Sequence, residues 1–187
     1  MATEHIARIV LFLVVSAGLA RFSWASLRAP RSHGFYRFFA WECILGLLLL
    51  NAGTWFRDPL SLTQLISWFL LLVSGYLVLH GVYLLRRLGG RDSKRQDAPL
   101  IGIEKTANLV TEGAFRYVRH PLYSSLLFLA WGILFKDPTW VAGTLAVAAT
   151  VFLVATAKIE ERENIRFFGA PYEQYMKGTK MFIPFMF

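Results

Sequence analysis

A chain of 187 residues that is 56% apolar and 17% charged, with a mean hydropathy of +0.46, carries more apolar surface than one soluble domain of this size would bury. Its single cysteine, Cys43, excludes a disulfide framework and a cysteine-based metal site, leaving apolar packing as its expected role. The net charge of +8 raises nucleic acid as a partner, but seventeen of the twenty Lys and Arg residues fall in alternate connections between apolar runs, which removes nucleic acid and leaves a topological signal.

Five apolar runs predict five membrane helices, at residues 6–20, 38–56, 62–85, 122–135 and 139–157. The expected fold class is an all-α integral membrane protein. It is read as one domain, 1–187, with three spans in 1–85 and a functional half in 86–187. Because cations mark the cytoplasmic side, the N-terminus is expected outside and the C-terminus in the cytoplasm. Attraction of these cations to anionic membrane lipids is secondary. The first run has the look of a signal peptide, yet only Arg8 precedes it and no convincing small-residue cleavage site follows, so it is read as a mature helix. Glu42 lies inside the second run. It is either a functional intramembrane charge or a partner of Arg37 or water near the cytoplasmic start.

Between the third and fourth runs, residues 86–120 read "RRLGGRDSKRQDAPLIGIEKTANLVTEGAFRYVRH". Glycines, proline and mixed charge predict a cytoplasmic loop, with "LVTEG" as an extended or turn segment whose backbone amides are free to bind. The fourth run has only 14 residues, about 21 Å as a helix against a core of about 30 Å. Pro121 suits a first helical position. Either the bilayer thins locally or the helix begins below the surface, with Arg119 and His120 on the floor of a polar cavity. The cavity is the favoured reading. The bland alternatives are Arg116 and Arg119 as headgroup anchors and His120 as a solvated cap.

The fifth run can stay helical from 139 to 168, about 45 Å, carrying Glu160, Glu161, Glu163, Asn164 and Arg166 beyond the apolar stretch. Glu163 and Arg166, spaced i,i+3, read as an exposed pair. Gly169 is the expected C-cap, and Pro171 the opening of a last helix, "PYEQYMKG". The closing "MFIPFMF" reads as an interfacial segment. Because the fourth and fifth helices form a hairpin, "RYVRHPLY" and "EERENIRFFGAPYEQY" must meet at one cytoplasmic end.

The combination "LVTEGAFRYVRHPLY", then "EERENIRFFGAPYEQY" about forty residues on and a late "IP", resembles the isoprenylcysteine carboxyl methyltransferase family. The wider group also contains membrane phospholipid methyltransferases. The resemblance covers the C-terminal half, and no glycine-rich dinucleotide fingerprint is expected in it. It implies an integral membrane methyltransferase with S-adenosylmethionine bound from the cytoplasm between the two clusters. A lipophilic or amphiphilic substrate would enter from the bilayer. His120, Tyr123, Tyr172 and backbone groups of Val110, Thr111 and Gly113 would contact the cofactor. Glu160 or Glu161 would hold its ammonium, and Arg119 would lie near the reacting centre with Glu161. The inner membrane of a bacterium or archaeon is the expected location.

Those residue types suit the chemistry, because carboxylates complement a cationic cofactor and an arginine orients an anionic group through a bidentate contact. A carboxylate nucleophile needs no base. An amine must lose its proton, to His120 or a glutamate. The chain departs from the family where Gly113-Ala114-Phe115 replaces Gly-Pro-Tyr and where Gly178 stands in place of an arginine. The cofactor half therefore reads as intact and the substrate half as altered. A phospholipid amine or small-thiol methyltransferase, and a non-catalytic membrane scaffold, remain open as alternatives.

Overall fold

A computed structural model describes residues 2–90 and 106–186; residues 91–105 of the predicted loop and Phe187 of the closing segment lie outside the described residues. Among the described residues there are seven α-helices: α1 (Ala2–Phe22), α2 (Trp24–Leu27), α3 (His33–Leu50), α4 (Leu62–Leu88), α5 (Pro121–Leu134), α6 (Trp140–Phe168) and α7 (Ala170–Gly178). A 3-10 turn, Gly113–Arg116, precedes α5. Helices α1, α3, α4 and α6 are long and apolar enough to cross a membrane. The chain is an all-α integral membrane protein.

Helix α5 is shorter than these four, and it sits in the middle. It is apolar on every face, and a helix of that kind must be covered all round; α3, α4 and α6 cover it. Its seam with α4 is made close by small residues. Gly81 of α4 leaves room for Leu122, and Gly132 of α5 for Leu71, where an added Cβ would stand 3.1 and 3.0 Å from those side chains. Ser67 Oγ donates to the Gly132 carbonyl at 2.6 Å and Ser74 Oγ to the Ser125 carbonyl at 2.7 Å. Small residues with serine hydroxyls on backbone carbonyls are how helices associate where lipid removes the hydrophobic drive.

The second seam joins α3 to α6. Ala142, Ala146, Ala149, Leu153 and Ala157 recur every three or four residues on one face of α6, all fully buried. They meet Ala40, Ile44 and Leu47 of α3. By contrast α1 packs mainly on α3 and leaves Ile6, Ile9, Leu13 and Val14 exposed, as a helix facing lipid would.

Helix α6 runs as expected. Thr139 Oγ1 accepts from the Ala142 N–H at 3.2 Å to begin it. Gly169, at φ 65°, closes it, a conformation that costs a residue without Cβ little. Pro171 lies in the first turn of α7.

Three expectations are corrected. Helix α3 stops at Leu50 and not at residue 56, because Asn51 leaves the helix and its side-chain amide donates to the Ile133 carbonyl at 2.8 Å. Glu163 does not form an exposed pair with Arg166; it is buried, and its carboxylate meets His33 Nδ1 at 2.5 Å. His120 is no solvated cap, being only 5% exposed.

Glu42 sits near mid-helix in α3 and accepts from Ser16 Oγ of α1 at 2.6 Å. Arg116 is exposed, as a headgroup anchor would be. In the closing segment Met181 and Phe182 are buried while Phe185 and Met186 are exposed.

Candidate active site

Where α4 ends and α5 begins, the chain opens a cleft between residues 106–123 and the ends of α6 and α7. It offers about 90 Å³ of space that water can enter. Two local devices build it. After the 3-10 turn, the backbone of residues 117–120 runs parallel to residues 180–181. The Arg119 N–H donates to the Lys180 carbonyl at 2.8 Å and the His120 N–H to the Met181 carbonyl at 3.2 Å. Pro121 then starts α5, so His120 caps that helix with its ring held against the cleft. The second device is the continuation of α6 for two turns past its alanine stripe, which carries Glu160, Glu161 and Asn164 to the same place.

The sequence expectation that the two clusters meet is realised in side-chain contacts. Tyr123 Oη donates to Glu160 Oε2. Arg119 Nε donates to Glu161 Oε1 at 2.7 Å, and its Nη1 donates to the carbonyls of Thr179 and, at 3.4 Å, Met176. Two of its nitrogens are thus occupied within the chain.

His120 stacks on Tyr123, centroids 5.4 Å apart, and meets Phe182 edge-on at 6.3 Å. Its Nε2 is buried, stands 3.4 Å from Glu161 Oε1, and makes no well-formed hydrogen bond. A buried ring nitrogen with so long a contact is under-satisfied, and a polar ligand group beside it would be favoured.

Of the residues expected to bind or act, Val110, Arg119, His120, Tyr123, Glu160 and Tyr172 line the cleft. Glu161 stands behind Arg119 and His120. Thr111 and Gly113 are exposed and outside it. Gly113, at φ 57°, borders a different, apolar cavity with Tyr76, His80, Tyr117 and Phe128.

Sequence reasoning missed Phe115, Phe168 and Tyr175 as walls of the cleft. Tyr175 was visible as the second tyrosine of "PYEQY". Its hydroxyl donates to the Phe115 carbonyl at 2.5 Å and ties α7 to the 3-10 turn. Burial pushes the Tyr172 and Tyr175 phenols above their ordinary range, so both stay protonated donors.

The residues present fit a cationic sulfonium cofactor. Glu160 supplies counter-charge on the cleft wall, with Glu161 behind it on Arg119, and Phe168 and Tyr172 supply aromatic faces that attract a cation. Among the described residues no cluster of three or more His, Cys, Asp or Glu could hold a metal.

The family model described as phospholipid methyltransferase matches residues 62–170, which include α4, α5, α6 and every cleft residue except those of α7. The chain belongs to the phospholipid methyltransferase family. Among its curated relatives are methanethiol S-methyltransferases. That of Pseudomonas deceptionensis is 28% identical over 121 residues, covering 64% of this chain and 42% of the relative. That of Crocosphaera subtropica is 27% identical over 124 residues, covering 65% and 44%. Methanethiol S-methyltransferase 1 of Bradyrhizobium diazoefficiens is 34% identical over 88 residues, covering 46% and 30%. The chain spans less than half the length of these relatives. No solved structure matches it.

Proposed function

We propose that the chain is an S-adenosylmethionine-dependent methyltransferase of the membrane that methylates the sulfur of a small thiol. The observation that carries this reading is a locked carboxylate, Glu160, facing the buried His120 ring, whose Nε2 has only a long 3.4 Å contact with Glu161, in one aromatic-walled cleft. The names of the relatives support sulfur as the acceptor.

S-adenosylmethionine, when bound, supplies a methyl group already activated on a cationic sulfur. The chain's own tasks are then few. Glu160 and Glu161 complement positive charge, and Phe115, Phe168 and Tyr172 keep water away. A thiol must lose its proton, because the thiolate is the nucleophile. His120 Nε2 is the acceptor in reach of the cleft, and Glu161, held by Arg119, stabilises the imidazolium that results. With that proton on His120, the cleft would hold the thiolate sulfur in line with the methyl group that the cofactor would supply.

In this reading α5 is a fifth, short crossing. The cleft faces the cytoplasm, with the N-terminus outside and the C-terminus inside, and the native setting is a bacterial or archaeal inner membrane.

A second reading, a lipid or other amphiphilic acceptor, is favoured by the apolar cavity of about 420 Å³ beside the site. Its walls include Tyr76, His80, Phe128 and Phe182, and the last of these touches His120. Purified protein in detergent, given methyl-labelled S-adenosylmethionine with either methanethiol or a total lipid extract, separates the two. Label in a volatile thioether supports the thiol, and label in the lipid phase alone overturns it in favour of the second reading.

A further inference from the structure

Helix α6 carries three carboxylates within four residues, and each is held by a different part of the chain. Glu160 is bound by Tyr123 of α5, Glu161 by Arg119 ahead of α5, and Glu163 by His33 of α3. The first lines the cleft, and the second stands behind Arg119 and His120 at its edge. The third does not touch it, and the chemistry above makes no use of it.

The Glu163 contact is nevertheless the most deeply buried of the three. His33 is 0% exposed and opens α3. Its Nδ1 lies 2.5 Å from Glu163 Oε2, and its backbone N–H donates to Oε1 at 3.4 Å. The carboxylate thus satisfies a free amide at a helix N-terminus, where negative charge is favoured. Arg37, one turn further along α3, is buried as well and stacks on Trp41, its guanidinium carbon 5.0 Å from the ring centroid. Glu160 lies within electrostatic reach of both His33 and Arg37.

We infer that His33 is a positioning residue for the cofactor site: by clamping Glu163 it fixes the turns of α6 beyond Ala157, so that Glu160 faces the cleft and Glu161 faces Arg119. This rests on the methyltransferase reading of that cleft. Side chains on a helix sit about 5–6 Å from its axis, so a turn of about 20° moves a carboxylate by about 2 Å. A misplacement of about 1 Å can cost about 100-fold in rate. The alanine seam with α3 holds α6 only as far as Ala157; beyond it Tyr123 and Arg119 both reach α6 from the α5 side and restrain a local turn from one direction alone. The clamp from α3 acts from another direction. It also lies outside residues 62–170, the part of the chain that the family model matches, so the site is completed by a segment beyond it.

The test compares His33→Leu, which keeps volume and removes the N–H, with His33→Asn, whose amide nitrogen stands where Nδ1 stood. Calorimetry with S-adenosylmethionine, turnover and unliganded thermal unfolding are measured on each. The expected result is a loss of cofactor affinity of about 10-fold or more in His33→Leu and recovery to within about 3-fold in His33→Asn. Affinity unchanged in a folded His33→Leu overturns the inference, as does His33→Asn falling equally far. Should His33→Leu not fold, Glu163→Gln carries the test, and unchanged affinity there overturns it.

Hydrogen exchange across residues 158–166 needs no cofactor. Faster exchange in the weakened variant supports the clamp, and identical exchange overturns it. If wild type binds no S-adenosylmethionine, the proposed function fails by itself, and the exchange experiment still decides the clamp.

Discussion

The two ends of α5 carry polar clusters of similar size and opposite character. At its C-terminal end Lys136, 4% exposed, donates from Nζ to Gln64 Oε1 at 2.9 Å and lies 3.3 Å from the centroid of the Trp68 ring. Gln64 Nε2 in turn donates to the carbonyls of Thr54 and Lys136 at 3.1 and 3.2 Å. No side-chain atom of this knot is left without a partner among the described residues. At the N-terminal end the carboxylates are held, yet His120 Nε2 has only the long contact with Glu161 at 3.4 Å beside a cleft. A fully bonded polar knot stabilises the fold, while a loosely bonded one beside a cleft can still bond a ligand. Burial and charge alone would not have told the two apart.

The sharpest way to break that comparison is at the loosely bonded end. His120→Ala is expected to lower turnover by about 100- to 10,000-fold, the usual scale for a general base, with a smaller change in cofactor affinity. Saturation kinetics against thiol and cofactor check it; full turnover would make that nitrogen irrelevant to chemistry. Arg119→Ala should follow at about 30- to 1000-fold, since it releases Glu161 and frees the tail around Thr179. Arg119→Lys should recover little, because a point charge cannot bond the carboxylate and two carbonyls in their separate directions. Recovery to wild-type rate with lysine would show that only charge matters there.

The fully bonded end should answer differently. Lys136→Met leaves Gln64 Oε1 unfilled and is expected to cost about 1–3 kcal/mol of stability while cofactor affinity stays unchanged. Burial pushes the Lys136 ammonium below its ordinary range, and the substitution removes its contact with the Trp68 ring along with the hydrogen bond. Thermal unfolding in detergent together with calorimetry reads both. A loss of affinity without a loss of stability would erase the distinction between the two ends.

Much of this was legible in the residues, for identifiable reasons. The length of α6 followed from Thr139 at one end and Gly169–Ala170–Pro171 at the other, which are local signals. The meeting of "RYVRHPLY" with "EERENIRFFG" followed from a hairpin too short to allow any other arrangement.

What stayed hidden depended on partners distant in the chain. His33 and Glu163 are 130 residues apart, so Glu163 read as a surface charge beside Arg166. Lys136 looked like one more loop cation, because nothing local shows that Trp68 and Gln64 enclose it. The end of helix α3 read six residues too late because "NAGTWF" continues the apolar run, while the side chain of Asn51 was needed across the bundle at Ile133.

Between the two ends lies the α4–α5 seam, where the smallest effect is expected. Ser74 Oγ donates to the Ser125 carbonyl, and that residue's own hydroxyl donates to the Leu122 carbonyl at 2.6 Å. Both carbonyls belong to the first turns of a helix already bonded along its backbone, so a serine hydroxyl is a second donor to an oxygen that has one. Ser74→Ala keeps the close approach that the seam needs and removes only that second bond. Inside a bilayer such bonds average about 0.6 kcal/mol, because the separated helices also find partners. Ser74→Ala should therefore lower stability by about that amount and leave turnover and cofactor affinity at wild-type values. Unfolding in mixed detergent, run beside Lys136→Met, is the measurement. A cost equal to that of Lys136→Met would mean that the seam, and not the knot at the C-terminal end, is what anchors α5.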